Sequence, residues 1–107
     1  MPDPENLKLT VSDDGSTVLA EGQIDSHTSL ALDEVLGAVA ADAELDLDLA
    51  GVSFIDSSGL RVIVRCHKRH RDAGGRLMVV NPSEVVNRLL EITGLTSELQ
   101  ISPGTSS

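Results

Sequence analysis

Two adjacent serines, Ser57 and Ser58, lie in "SFIDSSGLRVIV" (53–64), between an apolar run of β type and a helical pattern. A serine hydroxyl in such a turn can attack a substrate, cap a helix or accept a modification. Attack is the first to examine. A hydrolase elbow reads G-x-S-x-G where a strand turns into a helix. Here the turn reads I-D-S-S-G-L, so the context is right and the first glycine is missing. His27, His67 and His70 with several acids could complete a triad on paper, but 107 residues leave no room for a sizeable substrate pocket. Nucleophilic catalysis is therefore disfavoured. A phosphate-cradling G-x-x-x-x-G-K-[ST] loop is absent, and Gly74-Gly75 reads as a turn. His67 and His70, three apart on a helix, could offer two nitrogens to a metal, but no third ligand accompanies them. His67 reads as a boundary or core residue, His70 as a solvated one and Cys66 as a small packing residue.

What remains is a hydroxyl at a helix start. Unpaired N–H groups and the helix dipole favour an anion there. A phosphate on such a serine would be tolerated by the fold, yet would add about −1.5 to −2 charges to the surface. Against a partner's acid ~8 Å away, that is about 2–4 kcal/mol of repulsion at an effective dielectric constant of 20–40. Asp56 is adjacent, and Asp25 is expected near the same rim. The alternative is purely structural. Ser57 or Ser58 would cap the helix, Asp56 would bond the turn's own amides, and Gly59 would let the helix approach the sheet. Physical chemistry alone leaves both readings open.

These residues depend on the elements around them. "LKLTV" (7–11) alternates as a half-buried strand, "DDGS" (13–16) is a turn, and "TVLAEGQI" (17–24) is a second strand, which together suggest a hairpin. "DSHTSLALDEVLGAVAAD" then changes period: Leu32, Val35, Leu36 and Val39 share a helical face, with Asp25, Ser26 and Thr28 as capping groups. "LDLDLAGVSFI" (45–55) opens with strict alternation of leucine and aspartate, a strand. Leu60, Ile63, Val64 and His67 mark a helix from about Ser57 to Asp72, with Arg61, Arg65, Lys68 and Arg69 on its polar side. "RLMVV" (76–80) is a fourth, largely buried strand. "NPSEVVNRLLEITG" is a last helix, with Pro82 and Ser83 near its start and Gly94 at its C-cap. A short strand around "LQI" (99–101) could close the sheet, and 102–107 reads as a disordered tail. The order is ββαβαβα: a single-domain α/β fold, a mixed sheet covered by helices.

Composition narrows the function classes. The chain has 40% apolar residues, and its one aromatic residue is Phe54. Base-stacking platforms need aromatic rings and phosphate backbones reward basic surfaces, so one aromatic residue and a net charge of −9 argue against direct nucleic-acid binding. No apolar run is long enough for a membrane span, the start does not resemble a signal peptide, and the single Cys66 gives no internal disulfide. A cytoplasmic protein is expected. Charge is uneven: residues 1–56 hold 13 acids and one base, whereas 57–107 hold 4 acids and 7 bases. The basic segment Arg61, Arg65, Lys68, Arg69 and Arg71 reads either as a solvated face or as a docking stripe for an acidic partner.

"GQID" (22–25), "FIDSSGLRVI" (54–63), "AGGRLMVVN" (73–81) and "LLEITGL" (89–95) resemble, in order and spacing, the STAS domain. More narrowly, they resemble the stand-alone anti-sigma factor antagonists of bacteria. The resemblance covers roughly residues 6–101, with Gln23 where the family often has Glu. It implies that Ser57 is a phosphoacceptor and that Asp25, beside it, helps form a partner surface with Asp56, Ser57, Ser58, Gly59 and Arg61. It implies an unphosphorylated form that binds an anti-sigma factor, itself an ATP-dependent serine kinase, and so frees a sigma factor. The kinase then phosphorylates and releases the antagonist, and a metal-dependent serine phosphatase resets it. By that resemblance the chain is a kinase substrate and not an enzyme. No cofactor or metal of its own is expected; the oligomeric state, a monomer or a weak dimer, is left open by the residues. The rival within the same fold is an unmodified scaffold or interaction module of a larger sensory or transport assembly.

Overall fold

The computed structural model describes residues 6–102. Strands β1 (Leu7–Val11) and β2 (Thr17–Ile24) form the expected antiparallel hairpin. In its turn, one oxygen of Asp14 accepts hydrogen bonds from the Ser16 amide and from the hydroxyls of Ser16 and Ser12, at 2.8–3.0 Å. Those donors, the Ser16 amide foremost, lower the Asp14 pKa to about 2. Strands β3 (Glu44–Ile55), β4 (Arg76–Val80) and β5 (Gln100–Ser102) follow, giving the sheet order β1-β2-β3-β4-β5. From β2 onward each strand is parallel to the one before it. Parallel neighbours need a crossover, and helices α1 (Ser29–Gly37), α2 (Ser57–Asp72) and α3 (Glu84–Thr93) supply the three, the last followed by a 3₁₀ turn, Leu95–Ser97. This is the anticipated α/β order with its short closing strand. Ser102, assigned to a tail by sequence, belongs to β5; the rest of that tail lies outside the described residues.

One face of the sheet forms the core. Val18, Ala20 and Ile24 of β2, Leu45, Leu47, Leu49, Val52 and Ile55 of β3, and Leu77 and Val79 of β4 are buried there. Glu21, Asp46 and Arg76, on the opposite face, are exposed. The leucine alternation of β3 does not persist to its end, because the buried positions step from 49 to 52 to 55. Two register shifts explain this: β3 runs three residues, Asp48 to Gly51, past two of β2, and then two residues, Val52 to Phe54, past one. Bulges of this kind bend a strand and re-aim its side chains. The Asp48 carboxylate fixes the first of them by accepting from the Ala50 amide at 3.0 Å and the Asn81 side chain at 3.1 Å. Beyond Asp48, β3 outruns β4, and Ser83 takes over its free edge. The Ser83 amide donates to the Leu49 carbonyl and its hydroxyl to the Val52 carbonyl, at 3.2 and 2.7 Å. The same hydroxyl caps α3 by accepting from the Val86 amide.

The buried face of α2 is wider than the Leu60/Ile63/Val64/His67 repeat implied. Val62, Cys66 and His70 are buried as well, and Val64 is half-buried. His70 corrects the expectation of a solvated ring, for it is fully buried. Its Nδ1 lies 3.0 Å from the Ala43 carbonyl, which can only accept, so Nδ1 carries the proton. Nε2 faces the Arg69 guanidinium at 3.5 Å. Arg69 is exposed but committed, because it donates to the carbonyls of Leu36, near the end of α1, and Val39, just beyond it. Helix α1 is also shorter than expected: it ends at Gly37, leaving Val39 to pack from the following loop. His70 and Arg69 thus tie α2 to the start of β3 and to the end of α1. Replacing His70 by Leu removes the donor to Ala43 within a full core. The expected loss is about 1–3 kcal/mol, read as a lower urea midpoint at unchanged m-value.

Candidate functional site

Strands β2 and β3 end side by side, with Ile24 paired to Ile55. The Asp56 amide donates to the Ile24 carbonyl at 3.1 Å, extending that pairing by one step. Asp25 and Asp56 therefore leave the sheet from adjacent strands, which lie about 4.8 Å apart in any sheet. The rim anticipated from sequence forms here, and each aspartate organises its own turn.

Asp25 heads the loop into α1. Its Oδ1 accepts from the amides of Thr28 and His27, both at 2.9 Å. The Thr28 amide most of all, helped by the His27 amide and the Thr28 hydroxyl, holds the Asp25 carboxyl below its ordinary pKa despite some desolvation. Thr28 occupies the N-cap position without capping by its side chain. Its hydroxyl instead accepts from the Asp25 amide and donates to the Gln23 carbonyl. The capping role expected of Asp25, Ser26 and Thr28 thus becomes a closed loop centred on Asp25. Upstream, Gly22 has φ +115°, and a Cβ there would run into the Asn6 carbonyl, to which the Gln23 amide donates. Only glycine suits that position.

Asp56 is the cap of α2. Its backbone is extended, and its Oδ1 accepts from the amides of Ser58 (2.9 Å) and Gly59 (3.4 Å). Neither serine caps the helix, which settles that structural alternative in favour of Asp56. Ser57 is the first helical residue and is exposed, and its hydroxyl has no hydrogen-bond partner among the described residues. Ser58 is half-buried. Gly59 is buried where α2 meets the strand ends: a Cβ would lie 2.5 Å from Ile24 Cγ2 and 2.9 Å from Ile55 Cγ1. Both isoleucines belong to the core, so the helix start can sit this low only with glycine.

Beside Ser57 an open groove of about 220 Å³ runs between α1 and α2, lined by Ser26, Ser29, Leu30, Ser58, Arg61 and Arg65 among others. Leu30 is 68% exposed on its edge. Leu30 escaped the sequence reading, although its position off the Leu32/Leu36 face was the available sign. Arg65 pairs with Asp33 across the groove at 3.5 Å, whereas Arg61 is exposed with no polar partner among the described residues. His67 and His70 stand about 15 and 20 Å along the α2 axis from Ser57, far outside hydrogen-bond reach. His27 is exposed on the rim and has no hydrogen bond to either serine. Among the described residues no cluster of three His, Cys, Asp or Glu side chains could hold a metal, and no helix is long and apolar enough to cross a membrane.

The family model for the STAS domain matches residues 6–107. The chain belongs to the STAS domain family. This STAS domain is 32% identical over 102 residues to an anti-sigma-B factor antagonist of Staphylococcus aureus, covering 94% of each chain. The corresponding protein of Staphylococcus epidermidis matches to the same extent. Among solved structures, an anti-sigma factor antagonist from Mycobacterium paratuberculosis superposes with a TM-score of 0.79 at 28% identity, over 98% of this chain and 92% of that one. The sequence resemblance to the family is thereby established.

Three substitutions probe how the STAS rim is built. Asp56→Ala should cost about 1 kcal/mol through the lost cap, while Ser57→Ala leaves the thermal midpoint within a degree or so of wild type. Gly59→Ala should cost about 1–3 kcal/mol because a methyl must enter filled space, which equilibrium denaturation would register.

Proposed function

We propose that this STAS domain is an anti-sigma factor antagonist whose partner surface is the Asp25/Asp56/Ser57 rim and whose switch is a phosphate on Ser57. The observation that carries the reading is the Ser57 hydroxyl: exposed, unbonded among the described residues and released from capping by Asp56. Such a hydroxyl is open to a kinase, and its loss or modification disturbs nothing the fold needs. The names of the relatives supply the class of partner, an anti-sigma factor. The resemblance supplies its chemistry as an ATP-dependent serine kinase.

In its unmodified state the rim offers Asp25, Asp56, Ser57, Ser58 and Arg61 to the anti-sigma factor, which lets go of its sigma factor; Gly59, expected on that surface, is buried and serves it only by seating the first turn of α2. In the phosphorylation step Ser57 Oγ bonds to the γ-phosphorus of ATP, ADP leaves and the hydroxyl proton passes to solvent. The product carries about two more negative charges on a rim that already bears the Asp25 and Asp56 carboxylates. Facing an acidic group of the partner ~8 Å away, these contribute about 2–4 kcal/mol of repulsion, a change of tens- to roughly a thousand-fold in affinity. The fold tolerates the phosphate because it stands at the positive end of α2, beside the free Ser57 amide. A metal-dependent serine phosphatase returns the hydroxyl. The domain acts throughout as substrate and ligand, not as catalyst.

Intact-mass measurement tests this directly. After incubation with ATP and the anti-sigma factor kinase of the same genome, the protein should gain one phosphate and Ser57→Ala none. A stable complex without any gain would leave a binding module with a silent serine. Ser57→Asp should melt within a few degrees of wild type yet bind the kinase at least tenfold more weakly; wild-type affinity in that variant would sink the switch.

A further inference from the structure

Helix α2 carries four arginines, and three of them are engaged. Arg65 pairs with Asp33 at 3.5 Å, Arg69 donates to the carbonyls of Leu36 and Val39, and Arg71 pairs with Asp72 at 3.4 Å. Arg61 is exposed and has no hydrogen bond or ion pair among the described residues. It is also the arginine one turn after Ser57. Residues four apart on a helix are neighbours, with Cβ atoms about 5–6 Å apart, and the acid-before-base order is the favourable one. Ser57 and Arg61 are both exposed on the same helix, one turn apart.

We propose that Arg61 is the intramolecular partner of phosphorylated Ser57, closing a bidentate guanidinium–phosphate pair along the first turn of α2. This rests on the phosphoserine reading above and adds to it a residue with a defined task. A guanidinium fork matches phosphate oxygens in geometry as well as charge, and such charge-assisted pairs are stronger than neutral ones. The unmodified hydroxyl offers Arg61 no charge, so in that state the arginine lines the groove with Ser26, Ser29, Leu30 and Ser58. Phosphorylation then has two effects on the partner surface. It adds negative charge at position 57, and it draws the groove's one uncommitted arginine back toward the helix start. A partner acid that met Arg61 in the unmodified protein meets a phosphate with its counter-charge already taken. Arg65 cannot substitute, because it stands about 12 Å along the helix axis from Ser57 and is held by Asp33.

The test needs no kinase. Phosphoserine is installed at position 57 of the full chain during translation, and its second ionisation is followed by phosphorus NMR at low salt. An adjacent guanidinium favours the dianion, so the phosphate pKa in the otherwise wild-type chain should lie about half a unit, roughly threefold in proton affinity, below that in Arg61→Ala. Lys68→Ala removes one exposed positive charge about 16 Å along the helix axis and should leave the value unchanged. Equal values with and without Arg61 would overturn the pairing. So would an equal rise in Lys68→Ala, since that reports net charge instead of contact. Because Arg61 is exposed and unpartnered, its removal should not alter the melting temperature of the unphosphorylated protein. Failure of the kinase to modify Ser57 would remove the switch while this titration still showed the pair, so the two readings fail separately.

Discussion

The low seat of α2 on the ends of β2 and β3 is the constraint from which the site follows. Gly59 lets the first turn of the helix come down until a Cβ would strike Ile24 and Ile55, the last core residues of the two strands. The Asp56 amide, bonded to the Ile24 carbonyl, carries the strand pairing up to the first residue of the turn. On that seated first turn Ser57 is exposed, and its hydroxyl has no hydrogen-bond partner among the described residues.

Two aspartates with similar chemistry divide the labour at that rim. Asp25 uses its carboxylate on the amides of His27 and Thr28, which closes the loop into α1. Asp56 uses its carboxylate on the amides of Ser58 and Gly59, which starts α2 and frees both serines from capping. Each carboxylate is spent locally on backbone donors, so the charge at the rim is fixed in place and needs no partner to order it.

The opposite end of the helices is anchored by groups of a different kind. His70 and Arg69 bond the carbonyls of Ala43, Leu36 and Val39, joining α2 to the end of α1 and to the strand that follows. The two helices are therefore joined at their far ends by Arg69, through a half-buried bond to Leu36 and an exposed one to Val39. At the near end they are separated by an open groove bridged by the exposed Arg65–Asp33 pair. Exposed pairs contribute little to stability, so the groove side of the molecule is the less firmly bound.

Much of this was legible in the residues. The hairpin, the order of strands and helices and the span of α2 followed from periodicity and turn chemistry, because local spacing decides which face of each element is apolar. The turn "DSSG" put Asp56 and Ser57 at a strand-to-helix turn, and Asp25 was expected on the same rim, where the pairing of Ile24 with Ile55 brings the two strand ends together. The sequence could not say which of Asp56, Ser57 and Ser58 would cap, since all three are good caps and the choice depends on where the helix is forced to begin. Nor could it bury His70, whose polarity suits the surface until the Ala43 carbonyl from another element comes to face it. The doubled bulge of β3, the exposure of Leu30 and the isolation of Arg61 were likewise settled only by contacts between distant segments. Sequence determined the elements and the chemistry available at their ends. Tertiary packing decided which of those groups were consumed holding the fold and which were left free, because a hydrogen-bonding group is committed or idle only according to what lies opposite it.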